Sequence, residues 1–520
     1  MKARLLIPIS ITVMMFGLLA ASPFALAAPT GELVIAVEMF GNDIPLPRHE
    51  QAHGNDYMNL LYDPFIGTTP DGQLSTEMGV ARKWEMTPDG LTWTFTLRKG
   101  VKFHDGAELT AKDVKFSVEQ LIKPDAKSSN APQFRTEIKS LEVKDPFTLI
   151  VHCKKPSIFL PNVMSGLFPC GLVQPKDSYE KVGEDQFIKH PIGSGPYKFH
   201  SGLPGSFIKL EATDKHWRDG IPKYKYVTFR LIPEESTRIA MLKTGEADIA
   251  RISREKVQEL EKAGLNIIFK KNDMYVYFWC SMQWTSPLFS DIRFRKALNL
   301  AIDKESIMKH IFAGTATPVS TYAGIVISSC GGDPNLKPYP YDPVEARRLI
   351  KEAGFEGHEI TLVSFARPGI PELGRVIETA ASYWEKIGLK PKIVPMDYSI
   401  FLGRWRTGKT QNMIVGIDGT ETPSCPDLVG RLKDKLYSKS GRTMLNDAKI
   451  DAMFDKASKS LDPGEVAKLM VDVYQYIYEQ YHYIPICGLD GVLATTKRIP
   501  KWDPGDRRNE RNLRDVIKER

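Results

Sequence analysis

A chain of 520 residues with 42% hydrophobic, 26% charged and 10% aromatic residues is too long for one core, and its composition is that of a globular protein of two or more lobes. Disorder and a multi-span membrane protein are excluded on composition. The formal charge of +7 falls to +5 if Lys2 and Arg4 leave with an N-terminal leader, too little for a nucleic-acid-binding face.

Residues 1–27 read as a removed secretory signal. Lys2 and Arg4 precede the apolar run Leu5 to Ala21, and Ala25-Leu26-Ala27 has the small residues a signal peptidase reads. A retained anchor is the alternative. The expected product is periplasmic. Six cysteines (Cys153, Cys170, Cys280, Cys330, Cys425, Cys487) show no C-x-x-C and no Cys/His cluster, so metal knuckles and dithiol chemistry are unsupported. Cys153 with Cys170 is the first disulfide pair to test, because it closes the shortest loop.

"LPRHEQAHGNDY" contains His49-Glu50-x-x-His53, a spacing that holds zinc when it lies on a helix. Pro45 and Pro47 before it, Gly54 after it and the lack of an apolar stripe argue against that helix. A third ligand and an open position for water would also be needed. Glu77 is the one carboxylate considered for that role.

Leu91, Trp93, Phe95 and Leu97 alternate with polar neighbours, predicting a strand with one buried face. His104-Asp105-Gly106 reads as a turn rather than an acid/base pair. Thr110 with Asp113 predicts an N-cap for a helix carrying Val114, Val118, Leu121 and Ile122. Later, Asp342-Pro343-x-Glu345 caps a helix with Ala346, Leu349, Ile350 and Ala353, ended by Gly354. "GHEITLVSFA", a helix from about Glu372 to Gly388 and "KPKIVPM" form a strand-helix-strand unit that favours a parallel crossover. Asp462-Pro463-x-Glu465 opens a last long helix carrying Val466, Leu469, Met470, Val473 and Ile477. The fold class is α/β. The tail "DRRNERNLRDVIKER" alternates acids with arginines and reads as a solvated terminus.

Ala81-x-x-Trp84, Asp89, Phe95-x-Leu97-Arg98, Phe103-x-x-Gly106 and Ala111-x-Asp113-Val114-x-x-Ser117 together resemble the signature of family 5 extracellular solute-binding proteins, the peptide, dipeptide and nickel receptors of ABC importers. "HPIGSGPYKF", "WRDGIPKYKYVTFRLIP", "MLKTGEADIA", "DIRFRKALNLAIDKESI" and "YDPVEARRLIKEAGF" follow in the family's order. The resemblance covers about Gly31 to Pro500. It implies a two-lobe periplasmic binding protein fold, type II-like and of the large peptide-receptor class, with an extra subdomain inserted in the first lobe. The implied division is 1–27 signal peptide, 28–57 first lobe, 58–190 inserted subdomain, 191–271 first lobe, 272–484 second α/β lobe and 485–520 return to the first lobe. The crossovers are expected near Lys271 to Asp273 and near Ile484 to Cys487.

The resemblance further implies that the segment before "LLYDPF" faces the cleft, which makes His49, Glu50, Gln51 and His53 candidate ligand-binding residues; a solvated loop is the alternative. In "GIDGTETPSCPDL" the family's peptide receptors carry a carboxylate for the ligand's α-ammonium. Here Ile417 replaces the usual aromatic, and Asp418 or Glu421 supplies the charge unless the Asp only satisfies a turn. Arg404 and Trp405 are added as a carboxylate partner and a pocket wall. Tyr275, Tyr277 and Trp279 could wall a pocket too, but core packing explains such aromatics equally well, and the tyrosines are left out of the site.

No catalytic residue, metal ligand or cofactor is assigned, since no Walker A, nucleophile elbow or dinucleotide motif is present. The expected function is a monomeric periplasmic receptor that captures a peptide or other small solute and delivers it to ABC permease subunits in the inner membrane, with no nucleic-acid partner. The alternatives are a secreted zinc metallopeptidase using His49, Glu50 and His53, or a metal-chelate receptor of the same fold.

Overall fold

The computed structural model describes residues 29–41, 44–50, 54–70, 72–128, 130–166, 169–280, 287–320, 335–365, 370, 372–397, 400–401, 404, 413–419, 432–433, 436–440, 446–499, 502–504 and 513–515. The proposed signal lies outside them. The strands are β1 (Glu32–Val37), β2 (Gly67–Thr68), β3 (Leu74–Ser75), β4 (Ala81–Met86), β5 (Thr92–Leu97), β6 (Ile138–Asp145), β7 (Thr148–Cys153), β8 (Tyr197–Leu203), β9 (Phe207–Ala212), β10 (Tyr226–Leu231), β11 (Ile249–Arg251), β12 (Asn266–Cys280), β13 (Ala316–Thr317), β14 (Glu359–Ser364), β15 (Lys390–Pro395), β16 (Met413–Gly419) and β17 (Ile484–Thr495).

β12 and β17 organise the whole. They pair antiparallel from Asn266↔Thr495 to Phe278↔Ile484, with register irregularities between Lys270 and Met274 and between Val276 and Tyr277. The first irregularity spans Lys271 to Asp273. On one flank lie β11, β1, β10, β9 and β8; on the other lie β16, β14 and β15. β1 runs parallel to β10 and β11, and β14 runs parallel to β15 and β16. The molecule thus has two parallel sets joined by one long antiparallel pair, and each set carries its own core.

In the first lobe Leu33, Ile35 and Val37 of β1 pack into one cluster with Tyr57, Tyr62, Phe229 and Leu493, while Ala36 packs on the opposite face with Leu242, Ala250 and Ala494. Coverage of both faces is what a parallel sheet requires. The second lobe's core joins Phe278, Phe294, Leu362, Trp384, Ile414 and Tyr474. A separate four-stranded sheet, ordered β4-β5-β7-β6, has a core of its own built from Val80, Phe95, Val114, Phe134 and Val151.

Local sequence rules account for many boundaries. β5 buries Trp93, Phe95 and Leu97 and leaves Thr92, Thr94 and Thr96 half-buried, as alternation predicts; Leu91 lies one residue before the strand and is exposed. In the helix Ala111–Ile122 the Thr110 amide and hydroxyl donate to Asp113 Oδ2 at 2.9 and 3.0 Å. Asp342 accepts from the Glu345 amide at 2.9 Å at the head of Pro343–Glu352, and Asp462 accepts from the Gly464 amide at 2.7 Å at the head of Pro463–Glu479. The helix Leu373–Lys386 connects β14 to its parallel partner β15.

His104-Asp105-Gly106 is a turn. Asp105 Oδ1 accepts from the Ala107 amide at 3.0 Å, and Gly106 has φ 91°. His104 Nδ1 accepts from the Gly193 amide at 3.1 Å and Nε2 lies 3.0 Å from the Gly195 carbonyl, so the neutral ring bridges two backbone groups. Burial pushes its pKa down to about 4.

Two expectations are corrected. Cys153 and Cys170 are buried in the core of the four-stranded sheet and are not disulfide-bonded; Cys170 Sγ is 3.7 Å from the Val163 carbonyl, and burial raises the Cys153 thiol to about 11. Short loop length did not bring the two sulfurs together, because each faces its own packing partners. The tail is not wholly solvated either. Leu513 and Arg514 are buried, and Arg514 donates to the Asn59 carbonyl at 2.6 Å, the Tyr62 carbonyl at 2.7 Å and Asp63 Oδ1 at 3.0 Å. An alternating charge pattern hides this, since the acceptors are carbonyls at the far end of the chain.

Asp63 is fully buried and also meets His216 Nε2 at 3.2 Å and Trp217 Nε1 at 2.8 Å. Burial alone would raise its pKa, but His216, Arg514 and Trp217 hold it well below the usual carboxylate range. A depressed folded pKa stabilises above the unfolded value near 4, and that stability is lost as pH falls through the folded value. Replacing Arg514 with Ala strands a buried carboxylate; we expect a loss of about 3 kcal/mol and an acid-unfolding midpoint moved to higher pH. Urea titration between pH 3 and pH 8 checks both.

Candidate functional site

The register places the carboxyl ends of the two parallel sets face to face. β11 ends at Arg251, opposite Leu493, which is in turn opposite Ile268 of β12. β16 runs the other way along β12 and ends at Gly419, opposite Tyr275. From Ile268 to Tyr275 is roughly 23 Å of strand at about 3.3 Å per residue. In α/β sheets the crevice beyond strand carboxyl ends is where ligands bind, because loops and helix N-termini converge there. Here two such edges share one crevice, and the irregularity at Lys271 to Asp273 lies between them.

The segment after β1 holds the first group of candidates. Pro47–His49 is a turn, Glu50 is irregular, and a helix begins only at Asn55. His49 therefore has no helical face on which a zinc pair could form, and Gln51 and His53 lie outside the described residues. His49 is buried, with Nε2 3.3 Å from Glu184 Oε1. Beside it Arg48 donates to Asp125 at 2.9 Å and to Glu184 at 2.5 Å, Tyr179 donates to Glu184, and the Lys127 and Ser128 amides donate to the Arg48 carbonyl at 2.8 and 2.9 Å. Burial would raise the Glu184 pKa; the hydrogen bonds from Tyr179, Arg48 and His49 bring it below the ordinary value. This cluster fastens residues 48–49 to the chain around 125–128 and 184.

Glu50 has no exposed surface. Its carboxylate fills space that side chains at Gly41 and Gly54 would need: a Cβ at Gly41 would lie 2.5 Å from Oε1, and one at Gly54 would lie 2.6 Å from Oε2. The structure gives Glu50 and His49 packed positions within the first lobe.

The second lobe's candidates are less fully placed. Arg404 is helical and exposed. Asp418 is the penultimate residue of β16, opposite Val276, which puts its backbone at the crevice edge. Trp405 and Glu421 lie outside the described residues. Tyr277 is buried in the second-lobe core, 6.0 Å edge-to-face from Tyr483, as a packing residue.

Two residues that sequence reasoning missed meet across the crevice. Arg254 follows the carboxyl end of β11. Its Nη2 donates to the Asp490 carbonyl at 2.6 Å, and its Nη1 is 4.0 Å from Oε1 of Glu372 in the second lobe. Asp490 sits between Leu489, paired to Met274, and Gly491, paired to Lys270, so Arg254 reaches the spine at its irregularity. Glu372 is the N-cap of Leu373–Lys386, beyond the carboxyl end of β14. Its Oε2 is buried without a hydrogen-bond partner among the described residues. No local motif marks either residue.

With this geometry in view, comparison with known proteins is informative. The chain matches the description "Bacterial extracellular solute-binding proteins, family 5 Middle" over residues 76–434. It is 33% identical over 439 residues to the glutathione-binding protein GsiB of Salmonella paratyphi A, covering 82% of this chain and 84% of that one. Among solved structures, HbpA2 from Haemophilus parasuis superposes with a TM-score of 0.80 at 22% identity, covering 94% of this chain and 100% of that one. DppA from Helicobacter pylori in complex with the peptide STSA superposes with a TM-score of 0.72 at 23% identity, covering 94% and 98%.

The packing of Glu50 is open to a direct check. Gly41 and Gly100 both have positive φ, 72° and 79°, but only Gly41 faces Glu50; a Cβ at Gly100 meets nothing within 4 Å. Gly100→Ala is expected to cost about 1 kcal/mol for the backbone alone. Gly41→Ala adds the contact with Glu50, and its thermal midpoint should fall further. Equal shifts in the two variants would show that Glu50 is not held where the structure has it.

Proposed function

Because the chain belongs to the bacterial extracellular solute-binding proteins of family 5, we propose that it captures a short peptide or peptide-like solute, with glutathione-like tripeptides the first class to test, and delivers it to an ABC permease. The protein is a periplasmic or extracellular transport receptor and not an enzyme. The observation that carries the peptide reading is the crevice between facing strand ends, spanned by the β12–β17 pair. An extended peptide held there gains main-chain hydrogen bonds that do not depend on sequence, while water fills imperfectly matched side-chain pockets. The similarity to a glutathione-binding relative supports a small amide-bearing cargo.

Closure follows from differential contact. A solute seated on one lobe touches the other only when the lobes are together, so it binds the closed form better and shifts the balance toward it. The rotation falls at Lys271 to Asp273 on β12 and the facing part of β17, where the ladder is already broken. The domain reading keeps residues 28–57, 191–271 and 485–520 as the first lobe, 58–190 as an inserted subdomain and 272–484 as the second lobe. His49, Glu50, Gln51, His53, Arg404, Trp405, Asp418 and Glu421 remain the proposed ligand contacts; Asp418 or Glu421 would hold the ligand's ammonium group. Residues 1–27 are the proposed signal. The mature receptor is a monomer that docks on permease subunits in the inner membrane.

Titration calorimetry with glutathione, tripeptides and tetrapeptides should give saturable one-to-one binding, and small-angle scattering should show a smaller radius of gyration with ligand. Asp418→Asn or Glu421→Gln is expected to weaken binding at least tenfold for whichever residue is the anchor. A fixed shape and no heat with every peptide would remove the peptide reading.

A further inference from the structure

The four-stranded sheet unit touches the second lobe away from the spine. Ile158 and Phe159, in the loop after β7, pack part-buried against the second-lobe core, and Leu461 reaches the turn between β4 and β5, where a Cβ at Gly90 would lie 2.8 Å from its Cδ2 and 3.0 Å from Pro156 Cβ. Leu461 stands just before the helix Pro463–Glu479, whose far end leads into β17. Seventeen residues at about 1.5 Å each make that helix roughly 25 Å long, so the contact lies a helix length from the second-lobe end of the spine. Its two sides belong to different bodies. The sheet unit is fixed to the first lobe: Phe116 and Leu172 lie in the first-lobe core, Ile192 and Trp217 pack on the sheet unit's own core, and Arg48 donates to Asp125 and Glu184. The second lobe joins the first through the β12–β17 ladder, so rotation there makes or breaks the contact. A turn of about 10° moves a point roughly 25 Å away by roughly 4 Å, the whole range of an apolar contact.

Each side is built before the two meet. On the sheet unit, the Ser157 amide donates to the Gly90 carbonyl at 3.1 Å, its carbonyl accepts from Trp93 Nε1 at 2.8 Å, and its hydroxyl donates to Glu137 Oε2 at 2.6 Å. On the second lobe, Lys433 Nζ donates to Ser458 Oγ at 2.7 Å and Ser460 Oγ donates to Glu465 Oε2 at 2.5 Å. Preformed corners meet with little loss of conformational freedom. One pair of charges opposes the contact: burial lowers the Lys433 pKa, and the nearby Lys155 ammonium adds to that effect while Asp455 works against it. We propose that this contact, Leu461 on Gly90 and Pro156 with Ile158 and Phe159 on the second-lobe core, is a latch that governs how long the closed receptor keeps its solute. This rests on the receptor reading above and gives the four-stranded sheet, which carries none of the proposed ligand contacts, a task in capture. The latch forms as the lobes come together and must break before solute leaves. Association starts from the open form and does not involve it.

Stopped-flow fluorescence with glutathione and trialanine, on wild type, on the double variant Leu461→Ala with Ile158→Ala, and on Lys155→Glu, tests the latch. The double variant should release solute about fivefold faster, the return expected of two part-buried apolar side chains, with its association rate unchanged. Lys155→Glu places an opposite charge near Lys433 and should release solute about twofold more slowly, a gain lost near 1 M salt. A contact that only supported the fold would lower the thermal midpoint of the double variant and leave release alone. That result, or faster release from Lys155→Glu, overturns the latch and leaves the receptor reading intact. If wild type binds neither compound, the peptide reading fails, and scattering from the solute-free proteins decides the latch separately. A larger radius of gyration in the double variant than in wild type supports it; equal radii overturn it.

Discussion

The antiparallel pair β12 and β17 is the constraint on which the rest depends, because among the described residues it is the ladder that joins the two parallel sets. Its hydrogen bonds hold the halves in a single sheet, so they cannot separate. The same ladder is broken between Lys270 and Met274. A bulged pair takes up twist and bend at less cost than a regular one, since the groups left unpaired there have no ladder bond to lose. A bend in the ladder costs least at its two irregularities, here and between Val276 and Tyr277. The lobes themselves resist deformation, because each is packed around its own core and packed interiors change arrangement in discrete steps rather than continuously.

Rigidity on the first-lobe side is reinforced by buried charge. Asp63, in the connection after the helix Asn55–Leu61, gathers His216 and Trp217 from one distant part of the chain and Arg514 from another. Asp248 does the same for the sheet: its Oδ2 accepts from the Val34 amide at 2.9 Å, and its Oδ1 faces Thr496 Oγ1 at 3.2 Å and Arg498 Nη1 at 3.4 Å. Such groups need not add net stability over apolar replacements of the same shape. Their effect is on register, since a strand slipped by one residue would leave a buried carboxylate without its donors. The first-lobe edge of the crevice is fixed in this way.

What was legible in the sequence was mostly local. Thr110 with Asp113, Asp342 and Asp462 announce their helices because cap and helix are three residues apart, and β5 shows its buried face by alternation. Punctuation also told against the zinc helix, as Pro47 and Gly54 bracket what proves to be a turn at 47–49. Arg514 was misread because its acceptors, the Asn59 and Tyr62 carbonyls, are carried by the other end of the chain and leave no trace in a charge pattern. Arg254 and Glu372 were invisible for the same reason. Each follows a strand end in its own lobe, and only the topology that turns two carboxyl edges toward one another makes them neighbours.

That topology also bears on how strongly the lobes hold themselves together. Besides the spine, contacts between halves occur at Arg254 with Glu372 and where Ile158 and Phe159 pack against the second-lobe core, with Leu461 beside Gly90 and Pro156. An ion pair at 4.0 Å in a desolvated place returns little beyond its desolvation cost. Partial burial of two apolar side chains contributes on the order of 1 to 3 kcal/mol. Against this stands the solvation lost by the polar crevice when it shuts empty. Terms this small leave the open and closed forms within reach of each other, and a ligand with a few kcal/mol of differential affinity then decides between them. A receptor whose lobes clung by a large apolar face would close without cargo. Among the described residues, the contact beside the spine is polar and the apolar ones lie around Ile158, which keeps closure dependent on what lies between.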